Sequence, residues 1–134
     1  MRNKVIDFAR SLGLGIAETQ DAVDITFPAR PNFDLKITVP YSVNEWFIYL
    51  RKESEAKDMF TDCVDHYNLN SGDKTDLDEE MQDSIISTIE ALNNAEVRIG
   101  KSAGVNFLKW EFFTTDILEV LTESGWVDHH KLMM

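Results

Sequence analysis

Two short runs of strictly alternating apolar and polar residues constrain the fold of this chain more than any other part of its sequence. The apolar positions of these runs are Val23, Ile25, Phe27, Phe33, Leu35, Ile37 and Val39. A period of two is typical of a strand with one buried face. The connection between the runs holds Pro28 and Pro31, which cannot continue a strand ladder. We therefore expect an antiparallel hairpin over residues 23–39.

A third run, residues 46–50, is rich in strand-forming side chains. Trp46, Ile48 and Leu50 fall on one face of the predicted strand. The opposite face is also partly apolar, through Phe47 and Tyr49. It therefore requires cover from a helix or from a second molecule. We expect a fourth strand to end near Phe60 and to be followed by a helical turn.

Helical periodicity appears at the N-terminus and beyond the strands. Residues 3–12 predict a short amphipathic helix that ends at Gly13. A capping box at Asp76 and Glu79 predicts a helix to about residue 94. Its buried stripe consists of Leu77, Met81, Ile85, Ile89 and Leu92.

The C-terminal part of the chain is expected to contain a last helix. The sequence GKSAG at residues 100–104 is expected to interrupt regular secondary structure. Residues 105–113 fit either helix or strand. Thr115 can cap a last helix that runs through Thr122. The predicted fold is α+β: one domain over residues 1–134, with a mainly antiparallel sheet of three to five strands, an N-terminal helix and two or more C-terminal helices.

The net charge of −11 is concentrated in one segment. Residues 53–90 hold 12 acidic and 2 basic side chains, whereas residues 1–52 hold 6 and 7 and residues 91–134 hold 6 and 4. An acidic field repels nucleic acid phosphates and anionic membranes and attracts basic surfaces. The charge therefore favours a basic protein partner and disfavours direct binding to nucleic acid or membranes. Acidic side chains that only keep a domain in solution would give the same composition.

No residue set in the sequence is typical of a catalytic or metal site. Cys63 and His66 are three residues apart but lack any local signature of a thiol nucleophile. His129 and His130 are adjacent, so their side chains point apart in regular structure. We predict a protein that is not an enzyme and that needs no cofactor and no metal. The aromatic residues Trp46, Phe47, Tyr49, Trp110, Phe112 and Phe113 are expected to be mostly core, with some serving as interface residues.

A cytoplasmic location is expected. Asp7 and Arg10 interrupt what would have to be the apolar core of a signal peptide. No apolar run approaches the length of a membrane span. Cys63 is the only cysteine, so the chain can form no internal disulfide.

The segment VPYSVNEWFIYLRKESEAKDMFTDCVDHYN, about a quarter of the chain, resembles small bacterial immunity proteins of contact-dependent inhibition and other polymorphic toxin systems. The likeness lies in an extended EWF-type strand, a charged turn and a D-x-x-D-x-Y segment formed by Asp62, Asp65 and Tyr67. The resemblance implies a cytoplasmic, non-enzymatic protein that neutralises one cognate toxin, often a nuclease.

A nuclease must attract phosphates, so its cleft is basic and suits an acidic ligand. The predicted partner-binding residues are Asp58, Asp62, Asp65, Tyr67, Asp73, Asp76, Asp78, Glu79, Glu80 and Asp83. The same charge pattern also fits a phage-type DNA mimic that blocks a nucleic-acid enzyme. A third possibility is an enzyme that uses clustered carboxylates with a divalent metal.

Overall fold

A computed structural model describes the backbone of residues 2–30, 32–52, 59–65 and 74–132, and the side chains of residues 2–30, 32–52 and 78–132. These residues form two antiparallel sheets and three helices, so the fold class is α+β. They divide into two compact units, Met1–Asn93 and Asn94–Met134. The expectation of a single domain over residues 1–134 stays a prediction.

The first unit contains a five-stranded sheet whose strand order follows the chain. Its strands are β1 (Gly15–Glu18), β2 (Ala22–Thr26), β3 (Phe33–Pro40), β4 (Glu45–Lys52) and β5 (Met59–Asp65). Ile25 of β2 lies opposite Ile37 of β3, which confirms the predicted hairpin. Ile37 also lies opposite Ile48, which places the third predicted strand beside it. The sequence predicts no strand at β1. In the structure its four residues are mostly exposed, so they carry no alternating apolar pattern.

One face of this sheet carries the core. Every second residue of β3 and of the first six residues of β4 is buried. Two helices, α1 (Asn3–Ser11) and α2 (Lys74–Asn94), bury their apolar stripes in the same core. The fully buried side chains include Val5, Val23, Ile25, Leu35, Ile37, Trp46, Ile48, Leu50, Met81, Ile85, Ile89 and Leu92. The helical spacing in the sequence therefore identified the buried face of α2 from Met81 to Leu92. In α1 it was correct only in part, since Val5 and Ala9 are buried but Leu12 is 38% exposed.

Polar contacts join the helices to each other and to the loops of the sheet. The amide of Val5 in α1 donates to Oε1 of Gln82 in α2 over 3.4 Å. Arg30, which follows β2, donates to the carbonyl oxygen of Leu92 over 2.8 Å and so satisfies a carbonyl in the last turn of α2. After α1 the chain reverses at Gly13, whose φ of 73° is accessible to glycine at little cost.

The predicted C-terminal helices are wrong. Residues 97–128 form a second antiparallel sheet of β6 (Val97–Asn106), β7 (Glu111–Thr122) and β8 (Gly125–Asp128). The GKSAG segment lies within β6, and the region expected to be the last helix is β7. Only α3 (His129–Leu132), a single turn, is helical in the described part of this unit. The helices are thus N-terminal, mid-chain and a very short C-terminal one.

Two element boundaries also differ from the prediction. The fourth predicted strand does not end near Phe60, because β5 continues to Asp65 in pairing with β4. An irregularity in this pairing between Ile48 and Tyr49 shifts the register by one residue. Helix α2 begins at Lys74, two residues before the predicted capping residue, Asp76.

Close packing across the β6–β7 pair explains why β6 contains Gly104. Gly104 lies opposite Phe113 in the register, and the phenyl ring of Phe113 covers it. A Cβ atom at position 104 would collide with this ring. In the sequence Gly104 resembles an interruption of secondary structure. In the structure it is the position at which the ring of Phe113 packs over β6.

Replacing Gly104 with alanine should displace the Phe113 ring and destabilise the β6–β7 pair by about 1 kcal/mol, as overpacking does. Hydrogen exchange of the amides in β6 and β7 measures this effect locally, and we expect faster exchange. Ser102→Ala, two residues away on the same face of the strand, is the matched control and should leave exchange nearly unchanged. Equal exchange in Gly104→Ala and the unmodified chain would contradict the assigned contact.

Candidate partner-binding site

The acidic segment, residues 53–90, contains two described elements of the first unit, β5 and most of α2. β5 is the last strand in the order of the five-stranded sheet. In the register of β5 with β4, Asp65 lies opposite Glu45 and Asp62 lies opposite Ile48. An end strand that carries acidic residues is poorly suited to pairing with a strand of another molecule. The acidic residues of β5 therefore favour contact through side chains over strand addition.

Helix α2 carries the largest described group of acidic residues. Glu79, Glu80 and Asp83 are exposed, and Asp78 is partly exposed. Acidic side chains near a helix N-terminus interact favourably with its dipole. Helix stabilisation therefore explains why some of these acidic residues occur here. The exposed carboxylates also form a negatively charged surface.

Asp78 contributes to the structure of the first unit. Its carboxylate forms an ion pair with the guanidinium of Arg2. It also accepts a hydrogen bond from Nε2 of Gln82 over 2.8 Å. Arg2 precedes α1, so Asp78 links the two helices. A partner that engaged Asp78 would have to compete with these contacts.

Asp83 is also paired, but at the surface. Nζ of Lys4 lies 2.5 Å from Oδ1 of Asp83. The hydrogen bond to Asp83 raises the pKa of Lys4, and the charge of Glu79 adds to this effect. Because both groups are mostly exposed, the ion pair adds little stability. Glu79 and Glu80 are therefore the described predicted residues that are best placed to meet a partner.

The remaining predicted residues are only partly covered by the structure. Asp58, Tyr67 and Asp73 lie outside the described residues. Asp62 and Asp65 are placed in β5 and Asp76 in the first turn of α2, by their backbone positions. The structure thus puts the described members of the predicted set on two consecutive elements of one unit.

The sheet face opposite the core carries a second polar surface. It contains a depression with a volume of about 240 Å³, lined by Ala17, Asp24, Thr26, Asp34, Leu35, Lys36, Tyr49 and Arg51. Its charges interact with one another: Lys36 lies 3.8 Å from Asp24, which also accepts a 2.6 Å hydrogen bond from Thr38. The Lys36 ammonium lies 5.5 Å from the centre of the Tyr49 ring. This internal compensation is typical of a solvated sheet face.

The aromatic residues separate into two groups. Trp46 is completely buried, and Phe47 and Tyr49 are half-buried on the opposite face of β4, with ring centres 6.1 Å apart. Trp110, Phe112 and Phe113 are exposed, so the expectation that they belong to the core is wrong. Phe107 and Leu108 are exposed beside them and were not predicted as site residues. The dense aromatic run VNFLKWEFF was the available sequence signal.

No group of three or more His, Cys, Asp or Glu side chains in the described part of the chain could hold a metal ion. His129 is buried at the start of α3, whereas His130 is exposed, so the two rings have different surroundings. Cys63 is known only by its backbone position in β5, and His66 lies outside the described residues. Among the helices described, none is long and apolar enough to cross a membrane.

Comparisons with protein-family models, with curated proteins and with solved structures found no match to this chain.

Proposed function

We propose that this chain is a non-enzymatic binding protein, an immunity protein that neutralises a cognate toxin by binding a basic surface of that toxin. The observation that carries the proposal is the concentration of 12 acidic and 2 basic side chains in residues 53–90. On α2, the exposed acidic residues of this segment are Glu79, Glu80, Asp83 and Glu90. The resemblance of residues 39–68 to immunity proteins supports the same function.

A negative surface acts on a basic partner in two ways. It raises the rate of encounter at low ionic strength, and it disfavours partners of the wrong charge. Placing the carboxylates on a helix whose opposite face is fully buried fixes them on a rigid element. A toxin nuclease, whose cleft attracts phosphates, is the partner class that this surface suits best. Both proteins would meet in the cytoplasm.

Affinity capture from the source strain, with identification by mass spectrometry, tests the proposed function. We expect a captured protein with a strongly basic domain, encoded beside the gene of this chain. Purified toxin domain should lose its activity on adding an equimolar amount of this chain. Capture of only acidic or neutral proteins would contradict the proposal, and so would a captured toxin domain that stays active.

A further inference from the structure

The far half of the β6–β7 hairpin is exposed on both faces. β8 pairs only with Glu119–Thr122 of β7, so residues 101–116 form a two-stranded ribbon. Ser102, Ala103, Thr114 and Thr115 along this ribbon are all exposed. A two-stranded ribbon has little stability of its own unless something packs against it.

The end of this ribbon carries five large apolar side chains, which we call the aromatic tip: Phe107, Leu108, Trp110, Phe112 and Phe113. Their exposed fractions lie between 47% and 96%. The rings of Phe107 and Trp110 meet edge to face with centres 6.1 Å apart. Phe112 and Phe113 are consecutive residues of β7, so their side chains lie on opposite faces of the ribbon. Large exposed apolar side chains grouped at one end of a hairpin are typical of an interaction site.

The backbone at the aromatic tip is strained. Trp110 closes the four-residue turn with a φ of 54°, in the left-handed region that glycine or asparagine normally occupies. A bulky side chain at such a position costs stability, and strain of this kind concentrates at functional sites. The turn would form more easily with glycine, so the presence of tryptophan indicates that its side chain is used.

The aromatic tip is electrically neutral, unlike the acidic segment at residues 53–90. Within residues 102–115 the only charges are Lys109 and Glu111, which cancel. A basic partner would find a single acid there, and the net charge of −11 disfavours an anionic bilayer. A second copy of this chain can approach through the aromatic tip without bringing acidic residues together. In a two-fold arrangement, Lys109 of each copy can pair with Glu111 of the other.

The exposed aromatic area of the tip, counted over both faces of the ribbon, approaches the area that a dimer buries. Its four aromatic side chains expose on the order of 600 Å². A standard interface buries about 800 Å² on each partner. Leu108 and the exposed ribbon can supply the difference. We propose that two copies of this chain associate through their aromatic tips to form a two-fold symmetric dimer.

Sedimentation velocity of the full chain tests the dimer. At concentrations on the order of 100 µM, we expect a particle of twice 15.4 kDa. The double variant Trp110→Gly/Phe112→Ser should sediment as a monomer. Leu132→Ser, which removes an exposed apolar side chain from α3, is the matched control and should remain a dimer. Added salt should strengthen the dimer, since each copy carries a charge of −11.

Further variants separate the effect on association from the effect on folding. Trp110→Gly alone should keep or raise the melting temperature, because it relieves the left-handed backbone, while it weakens the dimer. Lys109→Glu and Glu111→Lys should each weaken the dimer, and the combined exchange should restore it. The dimer does not involve the acidic residues of α2, so Glu79→Lys/Glu80→Lys should leave it intact.

A wild-type chain that stays monomeric at these concentrations would overturn the proposal. A dimer that persists in Trp110→Gly/Phe112→Ser would overturn it as well. Co-sedimentation of the monomer with phosphatidylcholine vesicles, lost in the same variant, would assign the aromatic tip to a lipid surface instead. Tip-dependent binding of a monomer to the captured toxin would assign it to the toxin.

Discussion

Replacing Trp46 with alanine should lower the free energy of unfolding of the first unit by about 4 kcal/mol. Trp46 lies in β4, between β3 and β5, and its side chain is completely buried in the core. Removing the indole ring loses its transfer free energy and leaves a cavity that the surrounding strands can fill only in part. Urea unfolding followed by far-ultraviolet circular dichroism measures the loss.

Phe47→Ala is the matched control for this substitution. Phe47 is the next residue of β4, but its side chain lies half-buried on the opposite face of the sheet. We expect a loss of about 1 kcal/mol, in proportion to the smaller area that it buries. Equal losses for the two substitutions would contradict the assignment of the core to the Trp46 face.

Replacing Arg2 with alanine should cost about 2 kcal/mol, more than any exposed ion pair of the chain contributes. The Arg2 side chain is only 6% exposed. Its guanidinium donates to the carbonyl oxygens of Val43 over 3.0 Å and of Pro40 and Tyr41 over 3.4 Å. It also pairs with Asp78 of α2. One side chain therefore joins the β3–β4 connection to both helices.

The Arg2→Lys variant separates the contribution of the positive charge from that of the hydrogen-bond geometry of the guanidinium. A lysine keeps the positive charge near Asp78 but lacks the planar set of donors that reaches several carbonyl groups at once. We expect urea unfolding to show a loss in the free energy of unfolding that is smaller than the loss for Arg2→Ala. Burial lowers the pKa of Arg2, but arginine stays protonated in proteins, so the loss should not change between pH 5 and pH 8. A pH-dependent loss, or full stability in Arg2→Ala, would contradict this role.

The sequence was sufficient to predict the core elements of the first unit, because they follow local periodicity. The alternation at residues 23–39 and the helical stripe from Met81 to Leu92 each identify a buried face without reference to another element. β5 was harder to predict, because its pairing with β4 continues past Phe60 through a register irregularity. No local pattern encodes that irregularity.

The second sheet was mispredicted because its glycines depend on contacts with a neighbouring strand. Gly100 and Gly104 resemble breaks in an isolated segment, but Glu119 and Phe113 of β7 cover them. The spacing of residues 115–122 fits a helix, while its threonine and β-branched content favours a strand. Pairing with β6 decides between these alternatives, and it is not visible in a local window.

The sequence predicted the charge of the candidate site, but it did not predict which of its carboxylates form ion pairs. Composition alone located the acidic segment, and the structure places its described residues on β5 and α2. That Asp78 pairs with Arg2 and Asp83 with Lys4 depends on how α1 packs against α2. These pairs engage Asp78, which links the two helices, and Asp83, whose exposed pair adds little stability. Glu79 and Glu80 remain available to a partner.

Association kinetics with the captured toxin test the central claim most directly, that the carboxylates of α2 form the binding surface. Glu79→Lys/Glu80→Lys replaces two negative charges with two positive ones and so changes the net charge from −11 to −7. Glu96→Lys/Glu123→Lys, at exposed positions in the second unit, makes the same change elsewhere. At low salt we expect the first variant to lower the association rate about 10-fold and the second by less than about 2-fold. Equal rates for the two variants, or no change in either, would contradict the claim.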